Sequence, residues 1–153
     1  MARQVKNDFN PFKLTGESAA GIKDKAGTLR KISKFITNSV RDNNASATSS
    51  VAKKGRFQRL SAAYAKSQKS GNRTANLKLK GNLEKSLNTH KLDGNKLRTT
   101  VSETEQPKAD GHNNFSGNSS LPTRQFIPDA KDGQTWKRAM IDGMREIIRK
   151  AKA

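Results

Sequence analysis

The apolar side chains of this chain are confined to a few short stretches with helical or strand periodicity, and the segments between them are polar. Hydrophobic residues make up 31% of the 153 residues, against roughly 45–50% in an average soluble domain, and counting the 11 glycines narrows the gap without closing it. We therefore expect one domain with a small core and much loop. A deep apolar pocket of the kind that enzymes use is disfavoured. No stretch approaches the roughly 18–20 continuous apolar residues of a membrane span.

Two stretches have the period of an amphipathic helix. The first lies between Ser18 and Arg41, with Ser18 as a plausible N-cap; its apolar positions, three or four residues apart, are Ile22, Ala26, Leu29, Ile32, Phe35, Ile36 and Val40. The second is C-terminal, with Asp132 as a plausible cap; its apolar stripe is Trp136, Met140, Met144, Ile147, Ile148 and Ala151. A shorter middle helix is predicted from Phe57 to Gln68, where Phe57, Leu60 and Tyr64 share one side.

A β-hairpin is predicted between these helices. Asp93 and Gly94 suit a tight turn, because glycine accepts a positive φ without a Cβ clash. After the turn, Leu97, Thr99 and Val101 alternate with polar residues, which is the period of a half-buried strand. The chain is thus predicted to be α+β, with a small antiparallel sheet. We expect an extended arm over residues 1–20 and a single domain over 21–153, with flexible loops near 42–56 and 103–120.

The charge is strongly positive and unevenly placed. There are 31 Lys and Arg against 13 Asp and Glu, a formal net charge of +18. Between Val51 and Lys80 there are nine basic residues and no acid, and the first four are Lys53, Lys54, Arg56 and Arg59. Such a field favours contact with a nucleic acid or with an acidic protein surface. The same charge also fits a solvated surface that keeps the protein soluble.

The residues for catalysis, cofactor binding or metal binding are sparse. The chain has no cysteine, and its two histidines, His90 and His112, lie near no recognisable nucleophile motif. Phosphate-loop and dinucleotide fingerprints and metal-ligand spacings are missing. We expect no enzyme, cofactor or metal site. The N-terminal "MARQVKNDFNPF" lacks the apolar region of a signal peptide, so a protein made and used, or assembled, in a reducing cytosol is expected.

The C-terminal part resembles the virion-morphogenesis and tail-completion proteins of tailed bacteriophages. The resemblance covers roughly residues 55–153 and rests on the order of "LKLKGNLEKSL", a hairpin, "ADGHNNFSG", "LPTRQF" and a terminal amphipathic helix. The matching residues are Leu79, Gly81, Leu83, Ser86, His112, Gly117, Pro122, Arg124 and Phe126. One departure is that "HNNFSG" is longer than the corresponding segment of the family.

The resemblance implies a structural virion protein at the phage neck, assembled in the host cytoplasm. It would form a ring of about six copies and join or complete head and tail, with portal, adaptor or stopper proteins and tail tube proteins as partners. A ring needs a patch that meets a different patch on the next copy, and the hairpin edges are candidates. His112 and Arg124 would be structural or interface residues, and Phe126 would be buried under the last helix. Lys53, Lys54, Arg56 and Arg59 would dock on acidic protein surfaces or contact DNA. The alternative function is that of a basic, sequence-nonspecific nucleic-acid-binding protein.

Overall fold

Three helices and three strands make up the described part of the chain. The computed structural model describes residues 6–52, 55–56, 87–92, 94–101, 126–128 and 136–152. In chain order the elements are β1 (Lys6–Phe9), α1 (Pro11–Thr15), α2 (Lys25–Ala45), β2 (Asn88–Lys91), β3 (Leu97–Thr100) and α3 (Arg138–Lys152). The predicted α+β class is confirmed. The predicted middle helix and the loop near 103–120 lie outside the described residues, and so does Asp132. None of the described helices is both long enough and apolar enough to cross a membrane.

The strands form one antiparallel sheet in the order β1-β3-β2. The predicted hairpin is confirmed, with Thr89 opposite Thr99 and Lys91 opposite Leu97. Leu97, Thr99 and Val101 are buried while the residues between them are half-buried, as the alternation predicts. Gly94 takes the positive φ of 67° that the turn requires; Asp93 is outside the described residues.

The prediction of an extended arm is wrong for residues 6–15. Phe9 of β1 pairs with Leu97 of β3. The N-terminal segment therefore adds a strand to one edge of the hairpin within its own chain. Asn10 then caps α1 by accepting a hydrogen bond from the Phe12 amide at 3.0 Å, and Pro11 occupies the first turn, where its missing N–H costs nothing. Phe9 and Phe12 are both buried, and this apolar burial fixes the segment on the domain.

The first long helix has the predicted apolar face but different ends. Its N-cap is Asp24, whose carboxylate accepts a hydrogen bond from the Gly27 amide at 2.9 Å. Ser18 instead accepts from the amide of Ala20, in the turn that precedes the helix. The helix continues through Ala45, and its asparagines are helical in spite of the low helix propensity of this residue type. The buried positions Leu29, Ile32, Ile36 and Val40 follow the predicted stripe.

The flexible loop predicted near 42–56 is wrong for residues 42–45, and the loop that follows is held by a bridge. Residues 42–45 belong to α2, and Val51 forms an isolated antiparallel bridge with Trp136. The carbonyl of Ser50 accepts a hydrogen bond from the Lys137 amide at 2.9 Å. This bridge fixes the entry to α3, and Trp136 therefore precedes the helix instead of lying on it.

The core lies between the sheet and the two long helices. Met140, Met144 and Ile148 of α3 are buried, as the C-terminal stripe predicts. The Trp136 ring meets Phe9 edge-to-face, with centroids 5.8 Å apart. Phe126 is fully buried in the same cluster.

Helices α2 and α3 approach closely at Gly143. A methyl group at this position would overlap the ring of Phe35, and Phe35 is itself half-buried against the core. The absence of a side chain at position 143 thus provides the space that the Phe35 ring occupies.

We expect Gly143→Ala to destabilise the protein, although alanine is the better helix former by about 1 kcal/mol. The overlap with Phe35 opposes that gain with a cost of about 1–3 kcal/mol. In a Phe35→Ala background the overlap is gone, and Gly143→Ala is expected to stabilise the protein by about 1 kcal/mol. Urea unfolding of the four variants measures both effects. Stabilisation of equal size in both backgrounds would contradict the close approach.

The end of α1 is attached to α3 by polar contacts. The Arg145 guanidinium donates to the carbonyl of Thr15 at 3.1 and 3.3 Å, and Arg149 Nε donates to Glu17 Oε1 at 2.7 Å. Lys152 Nζ lies 3.5 Å from the other oxygen of Glu17. The hydrogen bond from Arg149 and the charges of the two bases outweigh desolvation and lower the pKa of Glu17 below its ordinary value.

Glu17→Gln is expected to lower the free energy of unfolding at neutral pH and to matter less in acid. A carboxyl group with a depressed folded-state pKa stabilises the fold above its unfolded-state pKa, and that contribution disappears as the pH falls through the folded-state value. Thermal unfolding of both proteins across this pH range measures the difference. Glu146→Gln is the matched control, because Glu146 pairs only with the exposed Lys150 on its own helix. A Glu17→Gln effect that did not diminish in acid would contradict this assignment.

Candidate partner-docking groove

A groove of about 1010 Å³ runs between α2 and the outer strand β2. One wall is the side of α2 from Asp24 to Arg41, and the other is the strand from Leu87 to Lys91. Four basic side chains line it without a carboxylate partner among the described residues, and we call them the groove cations: Arg30, Lys31, Lys34 and Lys91. A fifth base, Arg41, lies at one end.

The helical period explains why three of these bases share one wall. Arg30 and Lys34 are four residues apart and therefore neighbours on the helix surface, and Lys31 is adjacent to them. The buried stripe begins on the neighbouring side with Leu29 and Ile32. The same helix thus packs on the core with one face and presents positive charge with the next.

The strand wall offers backbone groups as well as side chains. The Leu92 amide donates to the Lys96 carbonyl at 2.8 Å. Because every second residue of an antiparallel strand bonds to its neighbour, His90 and Asn88 are the residues of β2 that bond to β3. The N–H and C=O groups of Thr89 and Lys91 consequently point away from β3, toward the groove. Within the part of the chain that the structure describes, no strand pairs with this edge. The carbonyl of Leu87 accepts a hydrogen bond from Arg41 at 3.1 Å.

A chain of three hydroxyl groups joins α2 to the sheet below the groove. Thr37 donates to the Thr89 hydroxyl at 2.8 Å, and the hydroxyls of Thr89 and Thr99 are 2.9 Å apart. Thr99 is fully buried. These bonds hold the helix and the strand at a fixed separation and so determine the width of the groove.

The groove is electrostatically unlike the other side of the sheet. There, Arg98 forms a two-pronged pair with Asp8, at 2.7 and 2.9 Å, and the hydrogen bond raises the pKa of the guanidinium. Among the described residues that line the groove, the sole carboxylate is that of Asp24, which caps α2 through the Gly27 amide. The groove cations therefore keep their positive charge available to anions, whereas the charge of Arg98 on the opposite face is neutralised by Asp8.

The site residues predicted from the sequence lie away from the groove or outside the described residues. Arg56 is exposed and forms an isolated bridge with Thr48, Phe126 is in the core, and Gly94 is in the hairpin turn. None of these three lines the groove. The remaining predicted site residues lie outside the described residues, namely Lys53, Lys54, Arg59, Asp93, His112 and Arg124.

Sequence reasoning missed the groove because its two walls are far apart in the chain. The cations of α2 are visible in the sequence as the polar side of an amphipathic helix, and Lys91 as the end of a strand. Their juxtaposition arises only when β2 packs against α2, between residues such as Thr37 and Thr89, which are 52 positions apart.

His90 lies in the groove, where its Nδ1 is 3.3 Å from the Asn88 amide nitrogen. Over the described ranges, no group of three or more histidine, cysteine, aspartate or glutamate side chains is arranged to hold a metal ion. What the groove presents is positive charge beside a strand edge.

Comparisons with protein-family models, with curated proteins and with solved structures found no match to this chain.

Thr89→Val is expected to cost about 1–3 kcal/mol of stability, because it leaves the buried Thr99 hydroxyl without its partner. The double variant Thr89→Val/Thr99→Val removes both polar groups and should recover most of the loss. Thr37→Val is the control, since it keeps the Thr89–Thr99 bond and should cost less than Thr89→Val. Urea unfolding of the wild type, of these three variants and of Thr99→Val measures these differences. If the losses of Thr89→Val and Thr99→Val simply added in the double variant, the two hydroxyls would not be coupled.

Proposed function

We propose that this chain is a structural virion protein of a tailed bacteriophage, which forms a ring at the neck and joins or completes head and tail. The observation that carries the proposal is the strand edge of β2 beside the unpaired groove cations. A strand edge and a basic wall together suit docking on an acidic protein surface. The place of this docking, at the phage neck, rests on the resemblance of residues 55–153 to tail-completion proteins.

The groove serves contact with other proteins better than contact between copies. Two copies facing each other through β2 would bring the same positive charges together, on a chain with a formal net charge of +18. In a head-to-tail ring, different patches meet between neighbours, and the groove remains available for portal, adaptor or stopper proteins and tail tube proteins. The charge of the Val51–Lys80 run would add a broad attraction to the same partners or to DNA.

Sequence-nonspecific nucleic-acid binding is the second candidate, and the groove cations favour it. A row of bases along one wall attracts phosphates without reading sequence. Among the described residues that line the groove there is no phenylalanine, tyrosine or tryptophan, whereas single-stranded nucleic acids are usually held by bases stacked on such rings. This difference favours the protein-docking function.

Size-exclusion chromatography with light scattering, at moderate salt, separates the two functions. The proposed function predicts a closed ring of about six copies, with weak DNA binding that nearly disappears at moderate salt. The second candidate predicts a monomer that binds DNA tightly, with a steep dependence of affinity on salt concentration. Incorporation into particles of a phage lacking its own copy of the gene is the direct test. A monomer absent from such particles would overturn the proposed function.

A further inference from the structure

We infer that the groove binds an acidic, extended segment of a partner protein, which adds to the outer edge of β2 as a fourth strand. The inference rests on the proposed docking function and names the chemistry of the partner. Three features of the described part of the groove lead to it: the direction of the outward backbone groups of β2, the placement of the cations, and a lining without phenylalanine, tyrosine or tryptophan.

The backbone of β2 provides the pairing surface. The outward N–H and C=O groups belong to Thr89 and Lys91, two residues apart, which is the repeat that an added antiparallel or parallel strand recognises. Beyond them the outward carbonyl of Leu87 is occupied by Arg41. The edge left unpaired within the described residues is therefore short, and a segment of about four to six residues covers it.

The positions of the groove cations predict which side chains the bound partner segment carries. Helix α2 lies on the face of the sheet toward which Thr89 points, as its bond to Thr37 shows. Side chains of an added strand alternate between the two faces, so every second one would face the wall that holds Arg30 and Lys34. Aspartate or glutamate at those alternate positions would pair with the groove cations, and the residues between them would face away from α2.

The same features disfavour other occupants. A nucleic acid has no repeating backbone amides to pair with a strand edge, and the described lining residues offer it the His90 ring but no phenylalanine, tyrosine or tryptophan to stack on. A second copy of this chain would bring its own β2, with Lys91, against the groove cations. An acidic peptide satisfies both the hydrogen-bonding edge and the charge.

The experiment measures binding of fluorescein-labelled peptides to the purified full-length chain by fluorescence anisotropy. The probe is an acetylated heptapeptide of alternating glutamate and threonine, and the control peptide carries glutamine in place of glutamate. We expect the glutamate peptide to bind at least tenfold tighter, with an affinity that falls as salt is raised. Equal binding of both peptides would overturn the inference.

Lys91 allows the charge and the backbone edge to be tested separately. Lys91→Ala removes the charge and keeps the outward N–H, whereas Lys91→Pro removes both. Proline is tolerated on an edge strand because the lost N–H does not bond to β3. We expect Lys91→Pro to bind the glutamate peptide about fivefold to tenfold more weakly than Lys91→Ala, which is the effect of a lost hydrogen bond. Equal affinities would mean that the strand edge is not used.

A double substitution on the helix wall covers the case in which Lys91→Pro fails to fold. Lys31→Gln/Lys34→Gln should weaken binding of the glutamate peptide about tenfold. The control Lys13→Gln/Lys96→Gln should not, because it changes the net charge equally at exposed positions outside the groove. Equal effects of the two pairs would overturn the inference, as would stronger competition by a single-stranded oligonucleotide of the same charge. Ring formation is scored independently by light scattering, so loss of peptide binding with an intact ring would refute the inference and leave the proposed function standing.

Discussion

The pairing of β1 with β3 is the interaction on which the rest of the described structure depends. It brings residues 6–9 against residues 97–100 and makes β3 the central strand of the sheet. As a result one edge of the hairpin is closed by the chain itself, and within the described residues the edge that remains is β2. The same pairing places α1 beside α3, where Arg145 donates to the Thr15 carbonyl. A buried hydrogen bond from Asn7 to the carbonyl of Pro128, at 3.1 Å, adds a third segment to this arrangement.

Helix α2 shows how a chain poor in apolar residues still forms a core. Its buried stripe packs on the sheet and on α3, while the adjoining face carries the helical groove cations. Long basic side chains next to an apolar stripe keep their charged ends in water and let a narrow stripe suffice. The core and the groove are therefore two sides of one element, and a change in the tilt of α2 would alter both.

The parts of the fold with a clear periodicity could be predicted from the sequence. A repeated apolar pattern is present in the hairpin, at Leu97 and Thr99, in the α2 stripe and in most of the α3 stripe. Each pattern repeats often enough that single exceptional residues do not obscure it. Strand β1 could not be predicted, because four residues with one apolar side chain, Phe9, have no period to detect. Its signal was indirect, in the Asn10-Pro11 cap that begins α1. The start of α2 was misplaced for a similar reason, since Ser18 and Asp24 are both good caps and only the preceding turn decides between them.

The candidate site could be predicted still less, because charge density along the sequence differs from charge density in space. The basic run after Val51 stands out in the sequence, whereas the groove cations come from α2 and β2 with tens of residues between them. Positive charge alone attracts any polyanion and gives little specificity. A strand edge placed within reach of those charges adds a requirement for backbone amides at a fixed repeat, which a polypeptide meets and a nucleic acid does not. Selectivity for an acidic protein segment therefore follows from the packing of β2 against α2. It would be lost if the cations of α2 lay away from the outward backbone groups of β2.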